Sequence, residues 1–232
     1  MKKLSLFITS LKINGKAKPI IGCYGYWVIL TYLSVASAVV GIFFALGDNI
    51  RLAFICLMFS GLCDMFDGPV ARLKERTENE KNYGIQIDSL ADIISFGAFP
   101  VVIGYAININ GQTQIKMVFN AVIFSLYLLT ALIRLAYFNV IEAELQRKNE
   151  RRVYFEGLPT TSVVIIIPAI YSICLLFGIS LATVYTPLLA IIAVAFILKI
   201  KIPKPRGLSQ IVLALVGLAV ILSILLLGGI EI

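Results

Sequence analysis

The chain has 232 residues, of which 59% are hydrophobic and only 14% charged, with a net charge of +7 and a mean hydropathy of +0.95. Soluble domains carry about a quarter charged residues, so this balance excludes an ordinary soluble domain and points to a polytopic membrane protein. There is no histidine, which removes every mechanism that needs imidazole as base, nucleophile or metal ligand.

The first 20 residues, "MKKLSLFITSLKINGKAKPI", hold five lysines and scattered Leu, Phe and Ile. They read as a basic segment lying against anionic lipid, with no cleaved signal peptide. Seven candidate spans follow, near 26–46, 50–72, 85–107, 115–140, 158–178, 183–199 and 208–228. The expected fold class is therefore an all-α polytopic membrane protein: a six-helix core plus a seventh, C-terminal span. Its divisions are a basic juxtamembrane segment (1–25), a transmembrane core (26–200) and an additional helix (201–232). The breaks "GDN" (47–49) and "NGQTQ" (110–114) separate spans rather than domains, and Pro168 predicts a kink in the fifth span. Cys23, Cys56, Cys63 and Cys174 lack metal-ligand spacing and read as free thiols in or beside apolar segments.

The basic residues set the orientation. Clusters at Lys2–Lys18, Arg72–Lys81, Arg147–Arg152 and Lys199–Arg206 hold 17 of the 20 Lys and Arg, all on one side of a seven-span chain. The positive-inside rule makes that side, with the N-terminus, cytoplasmic. The charge thus speaks of a lipid bilayer with an anionic leaflet, not of nucleic acid.

Against this background stand Asp64 and Asp67 in "CDMFDGPVAR", then Asp88 and Asp92 in the next apolar stretch. A bare Asp near a membrane centre costs roughly 2.5–3.5 kcal/mol, so four would cost on the order of 10–14. At about 100° per residue, Asp64 and Asp67 lie ~60° apart around a helix, and Asp88 and Asp92 ~40° apart. Each helix presents two carboxylates on one face, and the basic loop 73–83 lets the pairs converge. Four carboxylates in a low-dielectric site call for cations. All-oxygen ligation selects a hard divalent ion such as Mg²⁺ or Mn²⁺, and two ions balance four charges. Gly68, Ala71 and Gly84 let helices or a ligand approach closely, and the Arg72 guanidinium suits phosphate oxygens. Metals, a phosphate-binding Arg and small residues together describe phosphoryl or phosphatidyl transfer. Glu75, Glu78 and Glu80 read as a solvated loop.

Asp64-x2-Asp67-Gly68-x2-Ala71-Arg72, then Gly84-x3-Asp88-x3-Asp92, resembles the signature of the CDP-alcohol phosphotransferases, with all eight residues present. The gap from Arg72 to Gly84 is about three residues longer than the spacing commonest in that family. Within it, "DSLADIISFGAFP" (88–100), "RLAYFNV" (134–140) and "FEGLPTT" (155–161) resemble the membrane-embedded phosphatidylserine synthases. The resemblance implies attack of the serine hydroxyl on CDP-diacylglycerol with release of CMP. It implies metal ligation by Asp64, Asp67, Asp88 and Asp92, with Asp92 also the general base. It implies nucleotide contacts from Gly68, Ala71, Arg72 and Gly84, and a homodimer. The family often has Asn-x-x-Thr at the first span; Thr31 matches the Thr, which makes it a further nucleotide contact implied by the resemblance, and Val28 stands where Asn is expected.

A serine acceptor carries a carboxylate, and Arg134 is the only Arg or Lys in the interior of a span. Its partner is either that carboxylate or a structural acid. Asn139 is a further acceptor-binding candidate, Gly157 and Pro159 shape a helix start, and Glu156 faces the acceptor ammonium or solvent. Two other readings stay open: the same family with glycerol-3-phosphate or an inositol phosphate as acceptor, and a cation transporter using the four Asp as an ion path. The absence of an internal repeat weighs against the transporter.

Overall fold

The computed structural model describes residues 22, 24–73, 75–109, 113–148, 154–203 and 208–227. The lysine-rich N-terminal segment, Cys23, Lys74, Arg151, Arg152, Lys204 and Arg206 lie outside them. A single 3₁₀ turn, Tyr26–Val28, leads into α1 (Ile29–Leu46). Then come α2 (Ile50–Ala71), α3 (Glu78–Asp92), a π-helical turn (Ile93–Ala98), α4 (Phe99–Asn108), α5 (Gln114–Lys148), α6 (Val163–Phe177), α7 (Leu181–Ile197) and α8 (Leu208–Leu227). All seven expected spans are helical, and the protein is an all-α membrane protein. Among the described residues, four segments are long and apolar enough to cross a bilayer by length and composition: Tyr26–Leu46, Glu78–Asn108, Gln114–Leu145 and Thr160–Phe177. The 22 residues of α2 are also long enough, at about 33 Å. Arg51, Asp64 and Asp67 reduce its apolar character.

Three features depart from the sequence reading. First, α3 begins at Glu78 rather than near 85, and Glu78 and Glu80 belong to its first turn instead of a loop. Thr77 accepts from the Glu80 N–H at 3.3 Å while the Glu80 carboxylate accepts from the Thr77 N–H at 3.0 Å. This capping box extends the helix two turns outside the apolar stretch. Second, α5 runs on past residue 140 to Lys148. Third, Tyr154–Glu156 and Lys201–Pro203 pair as a small antiparallel ribbon, with Phe155 opposite Ile202. The ribbon links the chain after α5 to the chain after α7, at the end of the bundle that carries the basic loops.

The core is built where α1, α2, the π turn and α4–α7 meet, with Ile224 of α8 at its edge. Phe54, Leu57, Phe96, Phe99, Ile103, Tyr127, Tyr185 and Leu189 are fully buried there. Two tyrosines bring their polar tips to backbone carbonyls: Tyr127 donates to Phe96 O at 2.6 Å and Tyr185 to Pro100 O at 2.8 Å. The first bond satisfies a carbonyl in the π turn, where the regular i→i−4 ladder is broken. The large exposed apolar surface, such as Phe43 and Ile115, is lipid-facing for a bilayer protein. The C-terminal helix is tied in at both a polar and a basic contact. Ser223 donates to Ser172 of α6 at 2.8 Å, and Arg51 donates to Leu225 O at 2.7 Å. Cys56, Cys63 and Cys174 are free thiols, as expected.

Candidate active site

Asp64 and Asp67 lie in the last two turns of α2, and Asp88 and Asp92 in the second half of α3. Carboxylate oxygens of Asp64, Asp88 and Asp92 come within 4.8 Å of one another. Asp67 lies beside this group, its carboxylate interacting with that of Asp88 as Asp64 does with Asp92. Two charges 4.8 Å apart repel by about 3–4 kcal/mol at an effective dielectric near 20. Such a cluster needs cations or protons between its members. Oδ1 of Asp88 is moreover buried with no hydrogen-bond partner among the described residues. An orphaned carboxylate oxygen beside other carboxylate oxygens suits a hard divalent ion, which takes oxygen ligands and compensates their charge. The donor set therefore fits the Mg²⁺ or Mn²⁺ expected from the sequence.

The helix ends explain the placement. Pro69 removes a ladder N–H in the last turn of α2, which closes two residues later at Ala71. Arg72 then emerges exposed past the helix C-terminus. Above Gly68 there is open space: an added Cβ would meet only Arg72 Nη2, at 3.9 Å. Gly84 is different, because Arg76 Nη1 and Trp27 Cζ3 would stand 3.2 and 3.4 Å from its Cβ. The Arg76 guanidinium also lies 5.4 Å from the Trp27 ring centroid, a cation–π distance. Ala71 packs on the buried pair Trp27 and Val28, together with Tyr32, Tyr83 and Ile87. The residue that replaces the family's Asn is thus a buried apolar plug, 1% exposed.

Thr31, expected at the nucleotide, is buried and donates to Asp67 Oδ2 at 3.1 Å. Asn139 accepts from Ser89 Oγ at 2.9 Å, which joins α5 to α3 between Asp88 and Asp92. Arg134 is buried on α5 and its Nη2 lies 3.4 Å from the Gly157 carbonyl. By helix rise, Arg134 is about 7 Å deeper than Asn139, and Asp92 about 4–5 Å deeper than Ser89. Measured along the helices from the Ser89–Asn139 contact, the arginine therefore lies about 3 Å deeper than Asp92. Gly157 has φ +76°, and a Cβ there would stand 2.8 Å from the Phe196 carbonyl, so the left-handed turn and the close approach both require glycine. The Thr31–Asp67 bond, the Ser89–Asn139 bond and the Trp27–Arg76 stack were not read from the sequence. Only the first had a usable signal, since Thr31 is polar in an otherwise apolar helix start.

Fold and site together define a membrane-embedded helical protein whose carboxylates converge in a cluster fit for a metal ion at one end of the bundle. The chain belongs to the CDP-alcohol phosphatidyltransferase family, whose family model matches residues 28–198, about three quarters of its length. It is similar to the CDP-diacylglycerol–serine O-phosphatidyltransferase of Saccharomyces cerevisiae, at 42% identity over 47% of this chain and 37% of the yeast protein. It is also similar to the enzyme of that name from Mycobacterium leprae, at 31% identity over 64% of this chain and 47% of the other. An archaetidylserine synthase of Methanothermobacter thermautotrophicus matches at 29% identity over 62% of this chain and 56% of its own. The chain spans about half or less of the length of the first two.

Proposed function

We propose that this protein transfers the phosphatidyl group of CDP-diacylglycerol to the hydroxyl of L-serine, giving phosphatidylserine and CMP. The observation that carries the reading is the convergence of Asp64, Asp88 and Asp92 within 4.8 Å inside an apolar helical bundle. The choice of serine is supported by the names of relatives from yeast, a mycobacterium and an archaeon, all of which contain serine.

In the reaction the serine oxygen forms a bond to the β-phosphorus and the bond from that phosphorus to the bridging oxygen breaks. CMP leaves with the bridging oxygen, and the serine proton passes to Asp92 as general base. Asp64, Asp67, Asp88 and Asp92 would hold two divalent ions, which when bound polarise the diphosphate and stabilise the leaving CMP. Thr31 steadies Asp67, and Asn139 steadies α3 through Ser89. The open face over Gly68, with Arg72 beside it, is where the cytidine diphosphate approaches; the resemblance adds contacts from Ala71 and Gly84, both of which lie against Trp27. Arg134 meets the serine carboxylate. The side of the membrane is cytoplasmic, supported by Arg72, Arg76 and Lys81 around the site and by the lysine-rich N-terminal sequence. The family resemblance supports a homodimer in the cell membrane.

The test is CMP release by purified protein given CDP-diacylglycerol, Mn²⁺ or Mg²⁺, and serine, glycerol-3-phosphate, an inositol phosphate or no alcohol. Release with serine alone, abolished by Asp92→Asn, is expected. Release with another acceptor alone would keep the carboxylate site and discard serine. No release with any of them would return the four Asp to an ion-conducting role.

A further inference from the structure

One helical turn beneath the carboxylates lies a second polar layer. Ser34 follows Thr31 by three residues on α1, Ser60 precedes Asp64 by four on α2, and Ser95 follows Asp92 by three in the π turn. All three are buried, with relative exposures of 3%, 0% and 0%. The hydroxyls of Ser34 and Ser60 are 2.7 Å apart, and those of Ser34 and Ser95 are 3.3 Å apart. Ser60 Oγ also donates to the Ser34 carbonyl at 3.0 Å. Their surroundings, including Ala38, Leu57 and Phe96, are apolar. Buried hydroxyls in such a setting are tolerated when they satisfy one another.

These hydrogen bonds join the three helical segments that present Thr31, the α2 carboxylates and the α3 carboxylates. Charge repulsion in the cluster pushes α2 and α3 apart, and the serine knot resists it one turn away. The hydroxyls are spent on each other, so they do not contact substrate or ion.

We infer that Ser34, Ser60 and Ser95 are positioning residues that fix the separation of the α2 and α3 carboxylates and thereby set the affinity of the site for divalent cations. The inference rests on the carboxylate-site reading above. Cutting the knot lets the helices relax outward, which weakens ion binding while leaving the substrate contacts in place.

The test is direct Mn²⁺ binding to the purified full chain in detergent, followed by the free-ion paramagnetic resonance signal. Ser172→Ala serves as control, because Ser172 and Ser223 form a part-buried hydroxyl pair between α6 and α8, outside the carboxylate layer. Ser34→Ala and Ser60→Ala are expected to raise the Mn²⁺ Kd about five- to twentyfold, the effect of about one buried hydrogen bond. Ser172→Ala should change it less than about twofold, the limit set by a side chain outside the coupled network. At saturating Mn²⁺ the KM values for serine and CDP-diacylglycerol should stay near wild type. A Ser34→Ala protein with the wild-type Kd overturns the positioning role and leaves the metal site standing. A wild-type protein that binds no Mn²⁺ overturns both. If Ser34→Ala does not fold, Ser95→Ala decides: it cuts only the 3.3 Å contact, and an unchanged Kd there also overturns the role.

Discussion

Thr31→Val separates two accounts of the first span. The change removes one hydroxyl and keeps the β-branched shape, so packing beside Asp67 is preserved. The lost bond is the 3.1 Å donation from Thr31 Oγ1 to Asp67 Oδ2, made at a side chain 5% exposed. A hydrogen bond to a charged group contributes about 1.5–3 kcal/mol, and about 1.4 kcal/mol is tenfold in affinity. The Mn²⁺ Kd should therefore rise about ten- to hundredfold, the range usual for a residue that orients a metal ligand. Thr31→Ser, which keeps the hydroxyl, should stay within about threefold of wild type, because the donor is retained. The assay is Mn²⁺ titration of the purified protein, alongside CMP release as a function of CDP-diacylglycerol. If Thr31 instead touches the nucleotide, Thr31→Val raises the KM for CDP-diacylglycerol and leaves Mn²⁺ binding unchanged. That result would refute the carboxylate-orienting role.

Removing divalent ions with a chelator should abolish CMP release and adding Mn²⁺ or Mg²⁺ should restore it; persistence of activity after exhaustive chelation would exclude the ion-dependent mechanism. Arg134→Ala should raise the KM for serine about ten- to hundredfold, the loss of a charge-assisted contact, with the KM for CDP-diacylglycerol within about threefold. A matched rise for both substrates, or a lowered Tm alone, would make Arg134 a structural tie to the Gly157 carbonyl. Gly157→Ala should destabilise the protein by at least about 1–2 kcal/mol, since φ +76° is strained for any L side chain and the Phe196 carbonyl blocks the added methyl. Thermal unfolding in detergent reads this directly, and an unchanged Tm would show that the turn can rearrange.

The sequence by itself determined the elements that depend on composition and short-range spacing. Apolar runs fixed the seven helices, because a span is a local property of about 20 residues. The 64/67 and 88/92 spacings placed two carboxylates on one face of each helix, since helix geometry is the same wherever the helix packs. The Thr77–Glu80 capping box was equally local, and its four residues suffice to start α3 at Glu78. Hydropathy by itself places the start near 85, because residues 78–84 are polar and only the cap marks them as helical.

Tertiary structure alone decided what crosses between helices. That Thr31 grips Asp67, 36 residues away, depends on how α1 lies against α2. The same holds for the union of Ser34, Ser60 and Ser95, and for the meeting of Ser89 with Asn139 across 50 residues. Gly68 and Gly84 are alike in the motif, yet one faces open space and the other lies under Arg76 and Trp27. Spacing along one helix specifies a face. Only the packing of one helix against another specifies what that face meets, because the contact depends on crossing angle and register.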